Sequence, residues 1–242
     1  CGVYTKRPTQ IWRRARAFKE CVRDIDVLTA PSNYVANKLS HHLGVDVVTL
    51  PNFVPEPPNS IAPSGFSNYF LYAGVLENHK GILSAINAFK EICGKTDAKF
   101  LIVGEGSLQD EIKEYIKRNK LEGKIVLLGW VDNDLLYRLL KDANALLMAS
   151  IWPETSSLIA MEAMSVGTPA VVPNIGALPE IIRNVDKHFI YNSSEALKQI
   201  VLNFKKDKYP YSLIKAIYEK NYCPNAYIKK YFELIASIPT SD

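Results

Sequence analysis

The chain has 242 residues, 48% of them apolar, and a formal net charge of +4. That apolar share excludes a disordered chain. The mild positive charge makes no case for nucleic acid, and no apolar run approaches the ~18 residues that a membrane-spanning helix needs. Length over ~150 points to one large domain, or one domain with part of another. The opening CGVYTKRPTQ lacks the apolar core of a secretory signal, and a start at Cys1 rather than Met reads as a fragment. Cys1, Cys21, Cys93 and Cys223 are scattered with no C-x-x-C or Cys/His spacing, so reduced thiols in a cytoplasmic protein are expected.

In chain order, IWRRARAFKECVRDID reads as a basic helix with Trp12, Ala15, Phe18 and Val22 on one face. Its cations (Lys6, Arg7, Arg13, Arg14, Arg16, Lys19, Arg23) face only Glu20 and Asp24. Two readings stay open for residues 6–23: a solvated helix, or peripheral contact with an anionic membrane at its inner face. IDVLTA (25–30) and VDVVTL (45–50) read as strands around the helix SNYVANKLSHHL. PNFVPEPPNSIAPSG then holds five prolines and breaks regular structure. Residues 1–56 are too few to bury a sound core alone and read as the end of a preceding domain, with 57–67 as a linker.

From Phe66 onward, short apolar runs alternate with amphipathic segments. The runs YFLYAG (69–74), KFLIVG (99–104), KIVLLG (124–129), ALLMAS (145–150) and PAVVP (169–173) are apolar throughout and bounded by Gly, Ser or Pro. Strands buried on both faces read this way. Between them, residues 82–92, 107–119, 133–143 and 157–165 carry helical periodicity; in the first, Ile82, Ile86, Phe89 and Ile92 share a face. The alternation predicts an α/β fold, a parallel sheet with helices on both faces, over residues 68–220. A Ser-capped helix near 193–207 and two more from Tyr211 complete the chain. The last, 221–242, is expected to pack back toward the N-terminal part.

Ligands of open parallel sheets bind beyond the carboxyl ends of the strands, so the loops there carry the chemistry. After the first run come Gly74, Val75, His79, Lys80 and Gly81, where a lysine next to a helix start suits an anion or is simply solvated. After the second come Gly104, Glu105 and Gly106: close backbone approach to a ligand, or a tight strand-to-helix turn. The third glycine of a dinucleotide fingerprint is missing, which argues against an oxidoreductase. After the third, Asp132 to Asp134 suit an N-cap, while the backbone of Val131 is free to face a ligand. After the fourth, WPETSSLIAMEAMSVGTP sets Glu154 in a loop and Glu162 inside a helix, with Thr155, Ser156 and Ser157 between. Ser156 or Ser157 caps that helix, and the N–H groups of Ser156 to Ile159, Leu158 included, suit a phosphate. Glu162 lies among Met161, Ala163 and Met164; an acid buried there needs hydroxyls or a cation as partner. Glu180 stands in the first turn of a later helix, where the dipole favours it.

Taken in order, APSNYVANKLS, VVTLPNFV, YAGVLENHKG, VGEGSL, LLGWVDNDLL and PETSSLIAMEAMSVGTPAVVPNIGALPEII resemble the successive blocks of the retaining glycosyltransferases of family 4, from about Ala30 to Ile182. The resemblance implies a GT-B fold, of which this chain is the donor-binding half. It implies a nucleotide-diphosphate sugar (UDP-, GDP- or ADP-linked) as donor, a glycan or lipid-linked acceptor, no metal or other cofactor, and a part in building glycans such as cell-envelope polysaccharide. It assigns Glu154 to the donor sugar hydroxyls, Glu162 to the ribose, Lys80 and the N–H groups around Ser156–Ile159 to the diphosphate, and the Val131 region to the base. The sequence departs from the family in two places: Val75 stands where it carries arginine, and Ser156-Ser157 where it carries Phe-Gly. These motivate the alternative, a non-catalytic sugar-nucleotide-binding relative or a partner subunit of another transferase.

Overall fold

The computed structural model describes residues 22–238. Most of the basic segment 6–23 lies outside the described residues, and neither reading of it meets the structure.

The N-terminal part is a small βαβ unit. β1 (Leu28–Ala30) pairs in parallel with β2 (Val47–Thr49), and α1 (Asn33–Leu43) crosses between them. Ser32 caps α1 by accepting from Val35 N–H, and Gly44 ends the helix in the left-handed region. Residues 51–68 then run without a regular element, yet they are anchored. Val54 N–H donates to Tyr222 O, Arg138 grips Pro63 O, and Asp142 accepts from Ser64 N–H.

The rest is a six-stranded parallel sheet. β3 (Tyr69–Ala73), β4 (Lys99–Val103), β5 (Ile125–Gly129), β6 (Leu146–Leu147), β7 (Ala170–Pro173) and β8 (Ile190–Tyr191) stand in the order β5-β4-β3-β6-β7-β8. Its core strands are solidly apolar because both faces are covered: Tyr69 to Tyr72 and Phe100 to Val103 are all buried. Leu71 of β3 lies opposite Leu101 on one side and Leu146 on the other.

Helices cover the sheet. α2 (Ile82–Ile92) buries Ile82, Ile86, Phe89 and Ile92, the face its periodicity predicts, and packs beside α7 (Ser194–Asn203). α3 (Gln109–Arg118) follows β4. α5 (Leu158–Ser165) packs against α4 (Asn133–Asp142) and α8 (Tyr211–Asn221). The one-turn α6 (Leu178–Ile182) begins with a proline in its first turn, and α9 (Pro224–Ala236) closes the described chain. The predicted strand 145–150 pairs only through Leu146 and Leu147. Met148 N–H still donates to Val171 O, and past it the backbone leaves the sheet while its side chains stay buried, so composition alone reads the run as longer than the ladder.

The chain winds outward from β3 through β4 to β5, then returns to lay β6 on the other side of β3. The loops after β3 and β6 therefore diverge and leave a crevice between them, the place where such sheets bind ligands.

Candidate functional site

The crevice is a cleft of about 580 Å³, within the ~300–1,000 Å³ usual for small-molecule sites. Each strand end contributes the residues that follow it: Gly74 and Val75 after β3, Gly104 and Glu105 after β4, Trp130 and Val131 after β5, Met148 to Ser150 after β6. Lys80, Glu154 and Ile159 close its wall.

The floor depends on glycine. Gly104 (φ +128°) lies so close under Gly74 that an added Cβ would run into the Gly74 carbonyl, while Gly104 N–H donates to Gly129 O at 2.8 Å. The expected close approach at Gly104 is thus first of all to the neighbouring strand end. Gly106 likewise has no room because of Leu76, and it does not line the cleft. The tight-turn reading of this loop prevails there. Gly81 also stays outside: it starts α2 with φ +66°, its Cα packed on the Ala149 carbonyl. That packing sets the loop after β3 against the loop after β6.

Lys80 is the last residue of a short 3-10 turn (Asn78–Lys80). Its ammonium sits 2.8 Å from Glu154 Oε1, and the Ser150 hydroxyl donates to that same oxygen. The pair is partly shielded, with side chains 29% and 13% exposed. Ser150 is a site residue that sequence reasoning passed over, because it lies in an apolar run that reads as strand. Tyr72 is a second: buried in β3, its hydroxyl donates to Val75 O at 3.0 Å and steadies the loop. Burial, and then the nearby Glu154 carboxylate, push its phenol above the ordinary tyrosine range. Trp130 lines the cleft with its side chain 72% exposed, so its indole stands free to meet a ligand.

The serine cluster divides its work. Ser157 caps α5, its hydroxyl accepting from Ala160 N–H at 3.3 Å. The N–H groups of Leu158 and Ile159 in the first turn have no helical acceptor, and none of the described residues accepts from them. Ile159 reaches the cleft; Thr155, Ser156, Ser157 and the exposed Leu158 do not line it. Ser156 Oγ is buried without a hydrogen-bond partner among the described residues. Glu162 is also absent from the wall, standing one turn beyond Ile159 on α5. Desolvation pushes its carboxyl above the usual carboxylate range, and no cation or hydrogen bond among the described residues offsets this. Its charge in turn helps raise the Tyr137 phenol, after burial as the larger cause.

Two other expectations change or hold. Asp132 caps α4, accepting from Leu135 N–H at 2.8 Å. Glu180, expected to serve its own helix dipole, instead reaches across to α1, accepting from Asn33 N–H at 2.8 Å and Tyr34 N–H at 2.7 Å. Among the described residues no group of three or more His, Cys, Asp or Glu is arranged to hold a metal ion, and no helix is long and apolar enough to cross a membrane.

Comparison with known proteins gives this geometry a family. An uncharacterised glycosyltransferase of Methanocaldococcus jannaschii is 34% identical over 125 residues, which take in 52% of this chain and 32% of that protein. The N-acetyl-alpha-D-glucosaminyl L-malate synthase of Bacillus anthracis is 26% identical over 182 residues, 70% of this chain and 47% of its own length. The chain thus spans about a third to a half of these curated relatives. In fold it is similar to a glycosyltransferase from Rickettsia africae, with a TM-score of 0.76 at 21% identity over 94% of this chain and 68% of that one. These likenesses mark the α/β sheet as Rossmann-like, of the GT-B kind. The pattern of the glycosyl transferases group 1 covers residues 56–221, well over half of the sequence, and the chain belongs to that family.

Proposed function

We propose that this chain is the donor-binding part of a retaining transferase that moves a sugar from a nucleotide diphosphate to a glycan, lipid-linked or other acceptor. The observation that carries the reading is the Lys80–Glu154 pair, held at 2.8 Å in a cleft at the sheet's switch point, beside a helix start with free N–H groups. In this reading Lys80 and the first turn of α5 hold the diphosphate, Glu154 accepts from donor sugar hydroxyls, and Val131 and its neighbours face the base. Glu162, charged at a cost until hydroxyls reach it, takes the ribose. The diphosphate's charge falls to Lys80 and the α5 N–H groups, so the reading calls on no metal.

The chemistry follows from charge development. The acceptor oxygen bonds to the anomeric carbon as the bond from that carbon to the phosphate oxygen breaks. The electron pair stays on the departing diphosphate, which also takes the acceptor's hydroxyl proton. Lys80 and the α5 dipole meet the charge as it grows, which is where electrostatic stabilisation lowers a barrier. Glu154, engaged by Lys80 and Ser150, binds hydroxyls rather than attacking carbon, so in this reading retention comes from attack on the same face from which the diphosphate departs. The domain division belongs to the same proposal: 1–56 as the end of an acceptor domain, 57–67 as a linker, 68–220 as the donor domain, and 221–242 returning to the N-terminal side. A cytoplasmic site of action completes it, with residues 6–23 either a solvated helix or a peripheral contact with an anionic membrane.

Thermal-shift measurement of the full-length protein against UDP-, GDP- and ADP-linked sugars tests the reading. One base class should stabilise wild type and lose its effect in Lys80→Ala. If no member of the panel stabilises wild type, or if Lys80→Ala responds like wild type, the reading fails.

A further inference from the structure

The loop that carries Glu154 is held from four directions. Ile151 N–H donates to His79 O at 3.0 Å. Lys80 and Ser150 hold the Glu154 carboxylate. Ala177 N–H donates to Glu154 O at 2.9 Å. All these partners belong to the large sheet domain. The fourth hold does not: Ser32, at the carboxyl end of β1, donates its hydroxyl to Thr155 O at 2.8 Å, across 123 residues of sequence. Among the described residues it is the hydrogen bond that joins the N-terminal βαβ unit to this loop.

Ser32 is only 5% exposed, and its place is fixed from both sides. As N-cap of α1 its oxygen accepts from Val35 N–H at 3.3 Å. The next two N–H groups of α1, on Asn33 and Tyr34, bond to the two carboxylate oxygens of Glu180, and Asn33 Nδ2 adds a third contact at 3.1 Å. The start of α1 is therefore bolted to α6, and its serine is bolted to the Thr155 carbonyl, one residue beyond Glu154. The carboxyl end of β1 and the loop that follows β6 meet face to face at this point.

We propose that Ser32 is a positioning residue: its hydroxyl, donated to the Thr155 carbonyl, sets the place of Glu154 toward the donor sugar from the opposite side of the interdomain junction. This rests on the reading of Glu154 as the sugar-hydroxyl acceptor. The Thr155 carbonyl belongs to the second peptide after Glu154; the first, through Glu154 O, is held by Ala177 N–H. Together the two bonds fix the backbone on the carboxyl side of Glu154, and without the Ser32 bond that backbone is pinned by Ala177 alone. Lys80, on another loop, keeps its place without the Ser32 bond. The free N–H groups of Leu158 and Ile159 lie beyond the Ser157 cap, which holds them independently of Ser32. Loss of the Ser32 bond should therefore weaken the sugar contact far more than the diphosphate contact.

The test uses calorimetric titration of the full-length protein with UDP, GDP and ADP, and with their glucose, galactose, mannose and N-acetylglucosamine conjugates. The quantity read is the sugar increment, the ratio of the bare diphosphate's Kd to that of its best sugar conjugate. Ser32→Ala should cut the increment by about tenfold, as loss of an outer positioning contact does, and change the bare diphosphate's Kd by less than about twofold. Ser32→Thr, which keeps a hydroxyl, should restore it. Ser32→Asp separates the two duties of this residue, because aspartate still caps α1 but has no proton to donate to Thr155 O. It should lose the increment like Ser32→Ala; its charge is buried beside Glu180 and the Thr155 carbonyl, so it should also melt below wild type, and the titrations are run well below its melting temperature. A wild-type increment in both Ser32→Ala and Ser32→Asp, with the increment gone in Glu154→Ala, overturns the role of Ser32 alone. An increment unchanged in Glu154→Ala, or a wild-type protein that binds none of these compounds, overturns the underlying reading as well.

Discussion

Lys80 and Glu154 neutralise each other across 2.8 Å, so under the proposed reading a donor has to compete with an internal partner before it gains either group. Glu105 and Glu154 both line the cleft with Lys80, and a bare diphosphate meets two acids for one cation. Removing the cation should hurt and removing the acid's charge should help. Lys80→Ala forfeits a charge-assisted hydrogen bond of ~1.5–3 kcal/mol, so the Kd of the preferred nucleoside diphosphate among UDP, GDP and ADP rises about tenfold to a hundredfold. Glu154→Gln frees Lys80 and lowers that same Kd, while the matching sugar nucleotide binds less tightly than to wild type. Calorimetry on the two variants checks both signs, and an unchanged diphosphate affinity in Glu154→Gln would falsify the idea of an internal competitor. Glu162 gives a pH signature. Its carboxyl is pushed above the unfolded value by desolvation, so the folded state binds the proton more tightly than the unfolded chain does. Stability from this group is complete below the unfolded pKa, ~4.3, and is lost as pH rises through the folded value. Glu162→Gln should therefore melt above wild type at pH 7 and not at pH 4. An equal gap at both pH values rules out ionisation as the cause.

At the scale of elements, strand ends and helix starts decide the site, and glycine decides the strand ends. Gly104→Ala sets a Cβ against the Gly74 carbonyl and forces a side chain to adopt φ +128°. Such strain alone costs ~1–3 kcal/mol, and displacement of β3 from β4 adds to it. Urea titration should show a lower midpoint and the cleft should lose diphosphate affinity; a wild-type midpoint would contradict the packing. Most of this level was legible in the sequence. Apolar runs marked β3, β4, β5 and β7 almost residue for residue: β3, β4 and β7 are buried on both faces and have no polar positions to blur them, and β5, half-buried at the sheet edge, is apolar throughout as well. Ser157, Asp132 and Ser193 announced the helix starts they cap. What was illegible depends on distant partners. Glu180 serves a helix 146 residues earlier in the chain, and Ser150 is polar within a run whose average is apolar. Neither has a local signal. The site was legible to the same extent: Lys80 and Glu154 were nameable as loop residues, but their contact, and the packing of Gly81 that brings their two loops together, are products of the folded sheet.

On the scale of the whole molecule, the question is why a two-stranded βαβ unit holds its shape beside a six-stranded sheet. A two-stranded sheet is at best marginally stable alone, so the unit borrows its order from the larger body. It does so at two joints. One is the start of α1, bound by Glu180 and bonded to Thr155. The other is the segment after β2, where Val54 N–H donates to Tyr222 O and the Tyr218 hydroxyl donates to the carbonyls of Val54 and Pro55 at 3.0 and 3.1 Å. Tyr218 is 1% exposed and belongs to the continuous core, as does Val54, so the second joint is an extension of that core. Tyr218→Phe keeps the ring and its packing but leaves two inward carbonyls without their donor, at a cost of ~1–3 kcal/mol. If the joint is part of one cooperative core, that cost appears as a lower urea midpoint for the whole molecule. Tryptophan fluorescence in a Trp12→Phe background, where it reports only on Trp130 and Trp152 of the sheet domain, and far-ultraviolet circular dichroism should then still move together. If the joint is only a local clasp, the fluorescence transition keeps its wild-type midpoint while a smaller circular-dichroism step separates ahead of it, and the unit and the sheet are two folding bodies rather than one.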